Sequence, residues 1–164
     1  MSHTLHLVEL ARLVRSDTIR LLEAAPESWL TWAPPGTSNH ILWHAGHALW
    51  LQDALCIRPL TGKCELRDGW EEMFGSNCSP VASRRDWPPR NEVGALLASQ
   101  LDRMLELFAA DTQGRLATIG PNTARGWDLV RGILHGLHDE ARHQGEMYLL
   151  LKLRRSTSRL PDGT

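Results

Sequence analysis

The sequence predicts an all-α fold, a four-helix bundle with one long crossover between its second and third helices. Three observations carry that prediction. Apolar residues recur at helical spacing in four segments, no segment offers a clear strand, and one connection is far longer than the others. A chain of 164 residues with 42% apolar content has enough material for one domain over residues 1–164.

The first segment, "HTLHLVELARLVRSDTIRLLEAA", sets Leu7, Leu10, Val14, Ile19 and Leu22 near one face, and Pro26 ends it. "WAPPGTSNH" reads as a turn in which Ser38 or Asn39 can cap the second helix, "HILWHAGHALWLQDAL". That helix is apolar nearly all round, with Asp53 and Gly46 on its weakest side, so it should be mostly buried and its histidines should need partners.

From Pro59 to Arg90 the periodicity stops, and a connection of about thirty residues is long against the usual handful. It carries Trp70, Met73, Phe74 and Trp87, which predicts packing against the body of the bundle. The third helix, "NEVGALLASQLDRMLELFAA", has Asn91 as its cap and Leu97, Leu101, Met104, Leu105 and Phe108 along one side. After Gly120 and Pro121 the fourth runs from Thr123 to Leu153, and the tail "RRSTSRLPDGT" should fray. Short links make helices one and two, and three and four, antiparallel neighbours. The crossover returns the chain along the bundle and leaves helices two and three parallel.

Composition excludes several classes. A formal charge of −1, with no basic run, zinc-finger spacing or P-loop, gives no electrostatic reason to bind nucleic acid or an anionic membrane. No apolar run approaches the length of a membrane span. Cys56, Cys64 and Cys78 form no C-x-x-C pair and no signal-like segment opens the chain, so reduced thiols and a cytoplasmic location are expected.

The chemistry concentrates in "HGLHDEARHQGEM", residues 135–147, where three histidines and three carboxylates share thirteen positions. On a helical wheel Leu129, Ile133, Leu137, Met147, Leu150 and Leu151 define an inward arc; His143 falls within it, Asp139 at its margin and His135 further out. Residues four apart lie one above the other, so Asp139 and His143 can aim an oxygen and a nitrogen at one divalent ion. A third ligand must cross the bundle, and helix two offers His40, His44 and His47. The competing reading is an Asp139–His143 ion pair beside a hydrogen-bonded core histidine, and spacing alone does not decide between them. The E-x-x-H of di-iron bundles occurs once, at Glu140 to His143, without a second copy, and the H-E-x-x-H of zincins is absent.

"SNHILWHAGHALWLQDAL", the tryptophan-rich crossover and "HGLHDEARHQGEMYLLLKLR" together resemble the DinB/YfiT-like superfamily of small metal-binding four-helix bundles. The resemblance runs over nearly the whole chain, and "GHALW" and "H-x7-H-x-G-E" are its most specific parts. It implies a metal held by His47, Asp139 and His143. Many members carry histidine where this chain has Asp139. The carboxylate leaves zinc, nickel, iron and manganese all open as the ion and favours the harder ions among them. The resemblance also implies a homodimer, and in some relatives a thiol-dependent transferase or isomerase that uses bacillithiol or mycothiol.

Three protein ligands leave coordination positions open, as in a catalytic site, and such an ion lowers the pKa of a bound thiol or water. Glu140, near the centre of the inward arc, is either a proton acceptor or the partner of a bundle arginine. His44 could orient a ligand or simply pack, His135 could stand at the mouth, and Glu146 could hydrogen-bond a ligand. Trp43, with Trp50, Trp70 and Trp87, forms either an aromatic wall for a substrate or ordinary core. The expected function is a metal-dependent transferase or hydrolase acting on a small-molecule substrate, with a low-molecular-weight thiol as a co-substrate; the alternative is a non-catalytic metal-binding or stress-related bundle.

Overall fold

A computed structural model describes residues 3–76, 78, 86–117 and 128–157. Among these there is no strand. The long helices are α1 (His3–Glu23), α2 (Ile41–Gln52), α5 (Arg90–Ala109) and α6 (Leu129–Thr157), with two short ones, α3 (Arg58–Thr61) and α4 (Trp70–Phe74), in between. The all-α prediction holds.

Core membership gives each helix its direction. Leu7 of α1 shares a buried cluster with Phe108 of α5 and with Leu129 and Ile133 of α6. Leu21 and Leu22 share the other with Val93, Leu97, Met147 and Leu150. So α1 runs antiparallel to α5 and parallel to α6. Ile41 to Leu49 of α2 belong with Val93 and Met147, and Cys56 and Ile57 with Met104 and Ile133. Hence α2 is parallel to α5, as the long crossover predicted.

The neighbour relations differ from expectation. Helix α1 packs mainly on α5 and α6, and α2 mainly on α6. Helices α1 and α2 meet only lightly across the diagonal, and α5 and α6 are not a closely packed pair among the described residues. The links 24–40 and 110–128 are long enough to cross a bundle end, so succession in sequence does not force adjacency.

Between the two apolar clusters lies a polar layer with members from every long helix or its continuation. Arg15 and Thr18 come from α1, Gln52 from α2, Gln100 from α5 and Glu140 from α6, and all are buried. Each falls in sequence between core residues of the two clusters. Thr18 Oγ1 and Gln52 Nε2 donate to Glu140 at 2.7 and 3.0 Å, and Arg15 Nη2 donates to it at 3.1 Å. Arg15 Nε lies 3.0 Å from the same carboxylate without hydrogen-bond alignment. Gln100 in turn accepts from Arg15 and donates to the Leu49 carbonyl.

Several boundaries move. His40, not Ser38 or Asn39, caps α2: its Nδ1 accepts from the Trp43 N–H at 3.1 Å. The second helix does not end at Leu55 but passes through a π turn, Asp53–Ile57, into α3. Pro59 is tolerated because the first turn of a helix has spare N–H groups, and Gly62 at φ 82° closes it. Asp53 and Gly46 are not on an exposed side. Asp53 is fully buried, accepting from Glu65 N–H and Arg58. Helix α5 opens at Arg90 behind Pro89, with no capping side chain, so Asn91 is not its cap. Asp128 accepts from Arg131 N–H at the head of α6. The predicted start at Thr123 lies outside the described residues, and the helix outlasts Leu153 to Thr157, with the rest of the tail also outside.

Candidate metal centre

The crossover supplies more than a return path. Helix α4 lies on α2 at Gly46, where a Cβ would sit 2.2 Å from the Phe74 ring, so only glycine permits the approach. Trp70 Nε1 donates to the Gly46 carbonyl at 3.1 Å, fixing the same contact from the other end of α4. The result is that the Phe74 carbonyl stands 2.6 Å from His47 Nδ1. A carbonyl only accepts, so Nδ1 carries the proton and Nε2 carries a lone pair. Trp43 stacks on the His47 ring at 4.7 Å and an interplanar angle of 20°, which limits its rotation.

The neighbouring helix α6 brings Asp139 and His143 close to His47. One donor atom each from His47, Asp139 and His143 lie within 4.8 Å of one another. Asp139 Oδ2 is 3.7 Å from His143 Nε2, while its Oδ1 accepts from Arg142 at 2.9 Å. His143 Nδ1 meets His44 Nδ1 at 2.8 Å, and His44 Nε2 is 3.3 Å from Glu146 Oε2. The Glu146 carboxylate at that distance favours the tautomer of His44 with its proton on Nε2. His44 Nδ1 then accepts from His143 Nδ1–H, and the His143 lone pair is left on Nε2, the side of Asp139.

These histidines stay neutral. Burial, reinforced by His143, His47 and His40, holds His44 down to about 2. Burial and then His47 hold His143 down to about 4, against the opposing pull of Asp139. Burial also lowers His47. Burial raises Glu146, with Arg142 opposing and Asp139 assisting. Unprotonated imidazoles and a carboxylate, with one donor atom of each within 4.8 Å of the others, fit a divalent ion of borderline character.

The other predicted residues divide. Glu146 and His44 adjoin His143, and together the three form a second group of donors within 4.8 Å. Trp43 is core, 5% exposed, and its Nε1 donates to Cys78 Sγ at 3.0 Å. Trp70 is buried too, so the notion of an open aromatic wall gives way to packing there. Glu140 belongs to the Arg15 layer and to neither donor group, and His135 belongs to neither group. Beside His44 and Glu146 opens a cleft of about 440 Å³, walled by Pro34, Leu149, Leu150 and Leu153. Sequence reasoning missed the Phe74 carbonyl and the His44–His143 contact. The first is main chain and leaves no side-chain signal, whereas the second was foreshadowed by the two histidines one turn apart on an apolar helix.

A sequence model of the DinB superfamily matches residues 10–147, most of the chain. The chain belongs to the DinB superfamily. No curated protein matches it closely enough to add a relative.

Proposed function

We propose that His47, Asp139 and His143 hold a divalent ion and that the protein is a metal-dependent transferase or hydrolase acting on a small molecule, with a low-molecular-weight thiol as co-substrate. The observation that carries this reading is the gathering of donor atoms from His47, Asp139 and His143 within 4.8 Å, with the His47–Phe74 bond leaving Nε2 of that buried imidazole unprotonated. When bound, the ion supplies Lewis acidity that lowers the pKa of a thiol or water. The cleft beside His44 and Glu146 supports entry of a small organic molecule, its apolar walls accepting the body and Glu146 accepting a proton or hydrogen bond. The chain acts as one domain, and the exposed Leu5, Leu13, Leu134 and Tyr148 offer apolar surface for a second copy.

A second reading keeps the ion and drops turnover. It is favoured by Glu140, the interior carboxylate best placed for proton transfer by sequence, whose oxygens are occupied by Arg15, Thr18 and Gln52. Thiol-dependent turnover by metal-reconstituted protein separates the two.

Metal binding itself is tested by alanine substitution. Loss at His47, Asp139 or His143 should weaken affinity by more than the 10–100-fold typical of an outer partner, with His135→Ala nearly neutral. Equal, mild effects at all four would overturn the site. Asp139→His should shift preference towards zinc or nickel and away from manganese or iron, read by competition at fixed pH.

A further inference from the structure

We infer that His44, His143 and Glu146 form a second divalent-cation position, adjoining the proposed one and filled together with it. The inference rests on the reading that His143 serves the first ion through Nε2. The two nitrogens of His143 face different surroundings. On the Nε2 side stands Asp139 Oδ2 at 3.7 Å; on the Nδ1 side stand His44 Nδ1 at 2.8 Å and Glu146 Oε2 at 3.9 Å. One donor atom each from His44, His143 and Glu146 lie within 4.8 Å of one another, as compact as the first group.

Each residue suits the role. His44 is 1% exposed and held on a buried helix, so its lone pair is directed at little cost in side-chain freedom. Glu146 is half-exposed and supplies the negative charge. Both His44 and Glu146 line the 440 Å³ cleft, which leaves positions for water or a small ligand on the ion's open side. Two imidazoles with one carboxylate suit zinc, cobalt(II) or copper(II) and not magnesium or calcium. Without the ion a single proton lies between the two Nδ1 atoms. Binding replaces that proton, which passes to solvent, and His143 then bridges both ions as an imidazolate.

The experiment is elemental analysis of the full chain after metal removal and equilibrium dialysis against zinc or cobalt(II), with circular dichroism confirming that each variant is folded. Two ions per chain are expected. Glu146→Ala, at a half-exposed position where folding is not at stake, and His44→Gln should each remove one. Asp139→Asn should remove the other, and His143→Ala both. A single ion that survives both Glu146→Ala and His44→Gln overturns the second position and leaves the first intact. A single ion lost in Glu146→Ala yet kept in Asp139→Asn retains a cation at this group and overturns the first position, and with it the bridge.

Discussion

Glu140 and His143 stand one turn apart on α6, both turned inward, and they face opposite chemical situations. Around Glu140 the neighbours are proton donors: Arg15, Thr18 and Gln52 all reach its oxygens. Around His143 they are bases: His47, His44, Asp139 and Glu146. A buried charge surrounded by donors is complete; it ties α1 and α2 to α6, and Gln100 joins α5 through Arg15. A partly buried cluster of acceptors with too few protons is incomplete, and a cation could complete it. The contrast separates a structural polar group from a candidate ligand set, where burial alone would single out Glu140, 1% exposed, ahead of the partly exposed His143.

The two regions should respond differently to substitution. The largest effect belongs to Arg15→Met, which leaves Glu140 charged and unpaired in the interior. Unfolding by denaturant should show a loss of about 3–5 kcal/mol, while cation affinity of the folded fraction stays within about tenfold. A collapse of affinity without loss of stability would mean that the two regions are not separate.

Acid should act next, and chiefly on the buried histidines. Burial holds His40 down to about 4, against the opposing pull of the Leu30 main chain, and holds His44 down to about 2. The unfolded chain takes up protons below its ordinary histidine value near 6.5 and the folded chain does not, so metal-free stability falls as pH drops from there through 4. A group displaced as far as His40 contributes about 3 kcal/mol at most over that window. Melting temperatures that hold constant between pH 7 and 4.5 would contradict this.

Gly46→Ala tests how the acceptors are positioned. The new Cβ would strike the Phe74 ring at 2.2 Å, forcing α4 outward at a cost of about 1–3 kcal/mol. The His47 Nδ1 bond to the Phe74 carbonyl loosens with it, and cation affinity should fall about 10–100-fold. Binding unchanged beside lowered stability would mean that His47 is held by Trp43 alone.

The smallest effect is Arg142→Ala. This exposed side chain competes for Asp139 Oδ1, and an exposed ion pair is worth about 0.2–1 kcal/mol. Stability should barely change, and affinity for a dication should rise by no more than about fivefold.

How much of this was legible in the sequence follows from what each feature is made of. The Asp139–His143 pair and the inward turn of Glu140 follow from the helical repeat, because both depend on one helix alone. The choice of His47 came from the "GHALW" resemblance, and the geometry puts its ring beside the pair. Beyond an unspecified arginine the partners of Glu140 did not emerge, since Arg15, Thr18 and Gln52 lie on two other helices and look like ordinary polar positions on each. Helix adjacency was misjudged for a similar reason: the spacing of α1 and α2 in sequence constrains their direction and not which helix stands between them. His40 as a cap was overlooked because serine and asparagine beside it are the commoner caps.

The acceptor that fixes His47 is a main-chain oxygen, and every amino acid at position 74 would carry one. Substitution of Phe74 can therefore never delete that bond directly. What inheritance must preserve lies elsewhere, in residues whose only contribution is the absence of a side chain. Gly46 lets the ring of Phe74 come close, and Gly75 leaves room against the Glu71 carbonyl, which a Cβ would meet at 2.5 Å. Across divergent descendants the tuning of this imidazole would be recorded in two glycines, Gly46 beside the histidine and Gly75 after the aromatic, with the intervening aromatic free to drift among shapes that fill the same space.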